Sequence, residues 1–395
     1  MESQQTCAGQ VMEEPLAAPL AAASIDDDIS RRLVGIWQRI LGVESIGLDQ
    51  NYFDLGGDSS LAVQMFAQIE EIFKVKLPLA TLYEAPTVYE LAAILRGEAS
   101  SSGWSSLVPI QTNGSRPAFF CIHPHGGNVL VYRELSRQLG SDQPFYGLQS
   151  QGLDGSQPPL TKIEDMASLY LREIRRVQAH GPYFIGGYCL GGAVAYEAAC
   201  QLSAMGEEVA LLALFDTMEF STFPPASIWQ TSYYNFQRLG YHVANLWQLK
   251  SGDRSRFISE KIRSLRVRVP VWFARQNKVI REKSPQDGSS SSETQALDRV
   301  WNANFQAYVD YVAKPYSGIV TDIRPRRQYR LLDRPQYKWD RLARGGQRIV
   351  ELPVNPPAML SDPFVKHLAF ALRKCLDEAI ASASSSAQHA SNIHS

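Results

Sequence analysis

The spacing of apolar residues changes character partway along the chain. In DDISRRLVGIWQRILGV the residues Leu33, Trp37, Ile40 and Leu41 fall on one helical face, and in SSLAVQMFAQIEEIFKV the same is true of Leu61, Met65, Phe66 and Ile69. A third segment, TVYELAAIL, opens with Thr87 and Glu90 at capping-box spacing. Short amphipathic helices with no strand between them predict a small helical bundle over residues 26–98.

From residue 107 the pattern alternates. AFFCIHP, YFIGGY and VALLALFD are short apolar runs that end in polar residues or glycine, as buried strands do. Between them lie VYRELSRQLG and MASLYLREIRRVQAH, which have helical spacing. Strand–helix alternation predicts a mostly parallel sheet covered by helices on both faces, with its chemistry at the carboxyl ends of the strands. Cys189 and Asp216 both fall at such ends.

Polar stretches mark the boundaries. Residues 1–25 have no periodicity and predict a disordered segment, and residues 381–395, small and polar, predict a disordered tail. RGEASSSGWSS contains a flexible linker at residues 99–106, and SPQDGSSSSET, 284–294, reads as a loop inside the second block, 107–380. No internal repeat is present.

Composition narrows the functional classes. Apolar residues make up 45% and charged residues 20%, so both blocks have material for a core. A net charge of -1 provides no general attraction to nucleic acid or to an anionic membrane. The longest apolar run, VALLALF, is far shorter than the ~20 residues of a membrane span. Five scattered cysteines have neither metal-ligand nor disulfide-framework spacing, which predicts no metal site and a reducing, cytoplasmic setting.

Chemistry concentrates in two motifs. In NYFDLGGDSSLAVQ, Gly56 and Gly57 let the loop turn, and Asp58 can cap the helix that starts at Ser59. The N-terminus of that helix favours a phosphodiester's negative charge. This segment, with LPLATLYEAPTVYELAAIL behind it, resembles the phosphopantetheine-binding domain of acyl and peptidyl carrier proteins over nearly all of residues 29–96. The resemblance implies a 4'-phosphopantetheine carried covalently on Ser59. It also implies as partners a phosphopantetheinyl transferase and either upstream synthetase modules or an adenylating or acylating enzyme.

The second motif is GPYFIGGYCLGGAVAYEAA. Gly187 and Gly191 frame Cys189 between a strand and a helix, the layout of a nucleophile elbow in which serine is usual. With CIHPHGGNVLVYRELSRQLG and LLALFDT, it resembles the type I thioesterase domains of nonribosomal peptide and polyketide synthetases. These are α/β-hydrolases with a helical lid, which here would span about 218–300. The resemblance implies Cys189 as nucleophile, Asp216 as orienting acid, and the backbone N–H groups of His125 and Leu190 as the oxyanion hole.

One position departs from that family. In ELPVNPPAMLSDPFVKHLAFAL, Met359, Leu360 and Pro363 align, and Pro356 occupies the catalytic histidine's place. None of the seven histidines stands there, and His367 lies eleven residues downstream. A free thiol near pKa ~8.5 is a few per cent ionised at pH 7, and a helix N-terminus is expected to lower that pKa, so Cys189 could act without a histidine. The expected function is acyl transfer from the Ser59 arm to Cys189, with release to an amine or thiol, by cyclisation, or by slow hydrolysis. Two alternatives stay open. One is a degenerate hydrolase domain that only binds and positions the chain; the other is a proofreading hydrolase that clears mis-primed arms.

Overall fold

The computed structural model describes residues 28–99, 104–217, 228–249, 292–327 and 339–393, with Arg254 and Ile258. The predicted bundle comprises α1 (Asp28–Leu41), α2 (Ser59–Phe73), α3 (Thr81–Glu84) and α4 (Val88–Leu95). Leu33, Ile36 and Trp37 of α1 meet Leu61, Met65 and Ile69 of α2 in one fully buried cluster. The Trp37 indole meets the Tyr52 ring edge-on at 5.3 Å. The capping box of α4 forms in both directions: Glu90 N–H donates to Thr87 Oγ1 at 3.2 Å, and Thr87 N–H donates to Glu90 Oε2 at 3.1 Å. Two of the helix's otherwise orphaned donors are thereby satisfied.

The second block is a seven-stranded sheet in the order β1-β3-β2-β4-β5-β6-β7. Its strands are β1 (Leu107–Gln111), β2 (Phe119–Ile122), β3 (Phe145–Leu148), β4 (Tyr183–Tyr188), β5 (Val209–Phe215), β6 (Val320–Pro325) and β7 (Gln347–Leu352). β1 runs antiparallel to β3 and every other pairing is parallel. Helices α6 (Ile163–Val177) and α7 (Leu190–Ala204) cover one face. The other is covered by α5 (Arg133–Leu139), which follows a 3-10 turn at Leu130–Tyr132, and by the C-terminal helix described below. Parallel strands buried on both faces explain why FFCI and VALLALF read as continuous apolar runs without alternation.

In the expected lid region lie α8 (Ile228–Gln248) and the start of α9 (Ser292–Asp310). Residues 218–227 and most of 250–291 lie outside the described residues, as do 1–27. Beyond β6, a short α10 (Trp339–Leu342) precedes β7, and a 3-10 turn at Pro356–Ala358 precedes α11 (Val365–Ile393).

Two expectations need correction. The tail from 381 is helical as far as Ile393, continuing α11. It contains no glycine or proline to stop the helix, and Ser382, Ser384 and Ser385 each donate their hydroxyl to the carbonyl four residues back. The linker, of which 100–103 lie outside the described residues, is fastened at its far end. The Ser106 carbonyl accepts from Gln149 N–H at 2.7 Å, and Ser106 is 3% exposed.

The bundle also touches the sheet block. Leu130 packs into the bundle's apolar cluster, Ala80 and Tyr83 pack against the sheet's, and the Tyr83 hydroxyl donates to the Val129 carbonyl at 3.1 Å.

Candidate active site

β4 ends at Tyr188 and α7 begins at Leu190, so Cys189 alone makes the turn, at φ 55° and ψ -116°. A non-glycine residue there costs roughly 1–3 kcal/mol and persists only when its surroundings over-determine it. They do. Cys189 N–H donates to the Phe215 carbonyl at 2.9 Å, and the Cys189 carbonyl accepts from Gly192 N–H at 3.1 Å. The framing glycines permit the close approach: a Cβ on Gly187 would strike the Gly191 backbone, and one on Gly191 the Ile122 carbonyl.

Asp216 follows β5 directly, also at positive φ (44°), with its N–H donating to the Ile323 carbonyl at 3.0 Å. Tyr188 and Phe215 are in register on β4 and β5, which sets Cys189 beside Asp216. The thiol is not activated as expected. Burial pushes it up to about 12, the Asp216 charge adds to that rise, and the Leu190 N–H opposes it. The helix N-terminus does act in the expected direction, but desolvation of the thiolate outweighs it.

No histidine acts on the Cys189 thiol among the described residues. His123 is committed to the fold: Nδ1 donates to the Pro124 carbonyl at 2.8 Å, so Nε2 accepts from the Tyr170 hydroxyl at 2.7 Å. Burial lowers its pKa to about 4. His125 follows β2, with its carbonyl accepting from Asn304 Nδ2 at 2.9 Å and its ring packed 4.2 Å from Trp301. Burial also holds this imidazole below its ordinary pKa, and its Nε2 is buried without a hydrogen-bond partner. Helix α9 thus holds the loop expected to form the oxyanion hole. His367 sits near the start of α11, its pKa lowered by partial burial and by Lys366.

At the position where the family resemblance expects a histidine, Pro356 opens a 3-10 turn. Beside it the Asn355 Nδ2 donates to Asn245 Oδ1 of α8 at 2.7 Å, and Val354, Ala358 and Met359 are buried in the apolar cluster. The segment is packed as core.

Sequence reasoning missed a second carboxyl. Asp322 lies inside β6, opposite Leu214, and is fully buried. Its Oδ2 accepts from Arg324 and Gln347, each at 3.3 Å, while Oδ1 is buried without a partner. Burial is the main cause that raises its pKa to about 7; Arg324 lowers it and the nearby Asp216 charge raises it. The signal available in the sequence was an acid inside the apolar run GIVTDI.

In the bundle, Ser59 is the first residue of α2. Asp58 Oδ1 accepts the Leu61 N–H at 2.9 Å, the geometry of an N-cap. Gly57 leaves room that a Cβ would lose against the Tyr52 ring. This loop fits a phosphodiester-linked arm: a capped helix start reached through a tight glycine turn.

Comparison with known proteins decides the family of each block. A phosphopantetheine attachment site matches residues 31–95, and a thioesterase domain matches residues 117–222. The chain thus carries a phosphopantetheine carrier segment and a thioesterase segment. The didomain is 40% identical over 227 residues to malpinin synthetase of Mortierella alpina, covering 55% of this chain and 3% of that protein. It is 40% identical over 214 residues to the dimodular nonribosomal peptide synthase of Bacillus subtilis (strain 168), covering 53% and 9%. The chain therefore spans only a small fraction of the curated relatives it matches. A four-domain nonribosomal peptide synthetase structure, holo-AB3403 bound to AMP and glycine, shares the fold over 92% of this chain and 27% of that one, at TM-score 0.53 and 24% identity.

The carrier segment takes a covalently attached 4'-phosphopantetheine. Among the described residues no helix is long and apolar enough to cross a membrane.

Proposed function

We propose that this didomain is an acyl-transfer unit in which an acyl thioester presented by the carrier through Ser59 passes to Cys189. The observation that supports it is the elbow: a strained Cys189 at the end of β4, beside Asp216; the resemblance expects a histidine at the position of Pro356, which opens a 3-10 turn. The bound arm supplies a thiol on which the acyl chain rides as a thioester. Cys189 Sγ adds to the thioester carbonyl, the N–H groups of His125 and Leu190 receive the developing oxyanion, and the original C–S bond breaks. The proton lost by Cys189 ends on the departing thiol, so one thioester replaces another.

Release then favours an amine, a thiol or an internal nucleophile of the chain. Water needs a general base, worth about 10²–10⁴ in rate, and Pro356 provides none. Hydrolysis is slow in this reading, and the upstream modules share the cytoplasm with the didomain.

A second reading, that the domain holds the chain without turning it over, is favoured by the thiol pKa of about 12. Intact mass spectrometry of acyl-loaded protein between pH 6 and 9 separates the two. Acyl transfer predicts an adduct on Cys189 whose rate of formation climbs about tenfold per pH unit, because the thiolate is the nucleophile. Cys189→Ala forms no such adduct, and Ser59→Ala gains no pantetheinyl mass. Absence of a Cys189 adduct at every pH where the protein stays folded would establish the holding role instead.

A further inference from the structure

Two contacts between carrier and thioesterase among the described residues fall on one rim of the sheet. The first joins Phe53, Asp54 and Tyr83 to Val129, Leu130 and Arg133. The second is a crevice where Lys76–Leu79 of the carrier meets Trp104, Gln149, Leu153 and Asp154. Segments 129–133 and 149–154 follow the carboxyl ends of β2 and β3. In the sheet β2 lies next to β4, whose end bears Cys189, and β3 lies one strand further out. By ordinary strand spacing the ends of these two strands lie roughly 5 and 10 Å from that of β4, and the Tyr132 hydroxyl, next to Arg133 in sequence, accepts the Tyr188 N–H at 3.1 Å.

The carrier therefore lies against the catalytic rim, and the part of it that makes the first contact is the loop leading to Ser59. Arg133 is central there. Its guanidinium sits 4.2 Å over the Phe53 ring, and its Nη2 is 3.6 Å from the Asp54 carboxylate. Phe53 and Asp54 precede Ser59 by six and five positions in NYFDLGGDSS. Beside them the Tyr83 hydroxyl donates to the Val129 carbonyl, and Leu130, 5% exposed, enters the carrier's core. The apolar pair fixes the seat, while the planar guanidinium, stacked and paired at once, orients the loop.

We propose that Arg133 is a positioning residue that holds the Ser59-bearing loop of its own carrier against the rim beside Cys189. This rests on the acyl-transfer reading for its purpose but not for its geometry. A half-exposed ion pair contributes little and a cation–π contact somewhat more, so losing both is expected to shift the docking equilibrium by about tenfold.

The test uses the full chain with the arm installed and two readouts. Small-angle scattering reports docking, and intact mass spectrometry reports acyl arrival at Cys189. Arg133→Gln is expected to expand the scattering envelope and slow acyl arrival about tenfold, with Arg133→Lys in between. Asp54→Asn should give a smaller expansion, and the double variant less than the sum, since the two residues act on each other. An unchanged envelope in Arg133→Gln, or additive effects of Arg133→Gln and Asp54→Asn, overturns the proposal. An expanded envelope in a protein whose wild type forms no Cys189 adduct keeps the docking role and removes the acyl-transfer reading.

Discussion

Ser59 and Cys189 stand in similar local settings. Each follows two glycines, in GGDS and in GGYC, and each lies at the start of a helix. The difference is which residue bears the turn. In the carrier loop the positive φ falls on Gly56, at 86°, and in the thioesterase it falls on Cys189 itself. A hydroxyl that another enzyme must reach and modify is served by a relaxed, capped helix start. A nucleophile, the role proposed for Cys189, is served by a strained backbone locked by its neighbours. The lock has a cost: the packing that fixes Cys189 also desolvates its thiol.

The sharpest way to break that comparison is to put a methyl on each turn. In Gly187→Ala the new Cβ meets rigid Gly191 backbone, and a loss above ~4 kcal/mol is expected, enough to keep the thioesterase from folding. Gly56→Ala asks that alanine adopt a left-handed conformation, about 1–2 kcal/mol. Urea denaturation followed by circular dichroism reads both. Equal, small losses would mean that the elbow is not over-determined.

The same contrast bears on what the sequence could reveal. The capping box at Thr87 and Glu90 and the Ser59 helix start are short-range patterns whose partners lie within four residues, and the elbow is legible from the glycines two positions either side of Cys189. The helical tail was misread because serines count as loop formers until their hydroxyls bond back along the helix. Arg133 over Phe53, Asp322 beside Asp216, and Asn304 on the His125 carbonyl join residues 80 or more positions apart. No local pattern announces such pairs. The sign of the Cys189 shift was equally out of reach, because motif chemistry gives the helix N-terminus while burial depends on the whole fold.

Asp322 gives the next largest effect. Its carboxyl is raised from 3.8 to about 7, so between those values the folded protein holds a proton that the unfolded chain has released. Stability from this group is therefore fullest below pH ~4 and is lost as pH rises through about 7. Asp322→Asn removes the charge and should leave stability unchanged near pH 4 while adding on the order of 3 kcal/mol at pH 8. Thermal melts at the two pH values check it. A variant equally destabilised at both would show that the hydrogen bonds from Arg324 and Gln347 matter more than the buried charge.

The smallest expected effect has the most diagnostic sign. In a triad the acid orients a histidine and steadies its charge, and its loss costs about 10⁴ in rate. Around Cys189 there is no such histidine among the described residues, and the Asp216 charge bears directly on the thiol, pushing its pKa upward. Asp216→Asn should therefore increase the thiolate fraction at any pH below the thiol pKa. Iodoacetamide should alkylate Cys189 modestly faster in the variant than in wild type at pH 8, because alkylation follows the thiolate. The gain is limited, since burial is the larger cause of the raised pKa and survives the substitution. The Asp216 N–H bond to the Ile323 carbonyl is a backbone contact and is kept, so the positive-φ turn at 216 should hold its place. A fall in alkylation, by contrast, would mean that Asp216 draws the proton from Cys189 in the native protein. The site would then work as a base-assisted nucleophile, and the distinction between the strained cysteine and an ordinary triad would disappear.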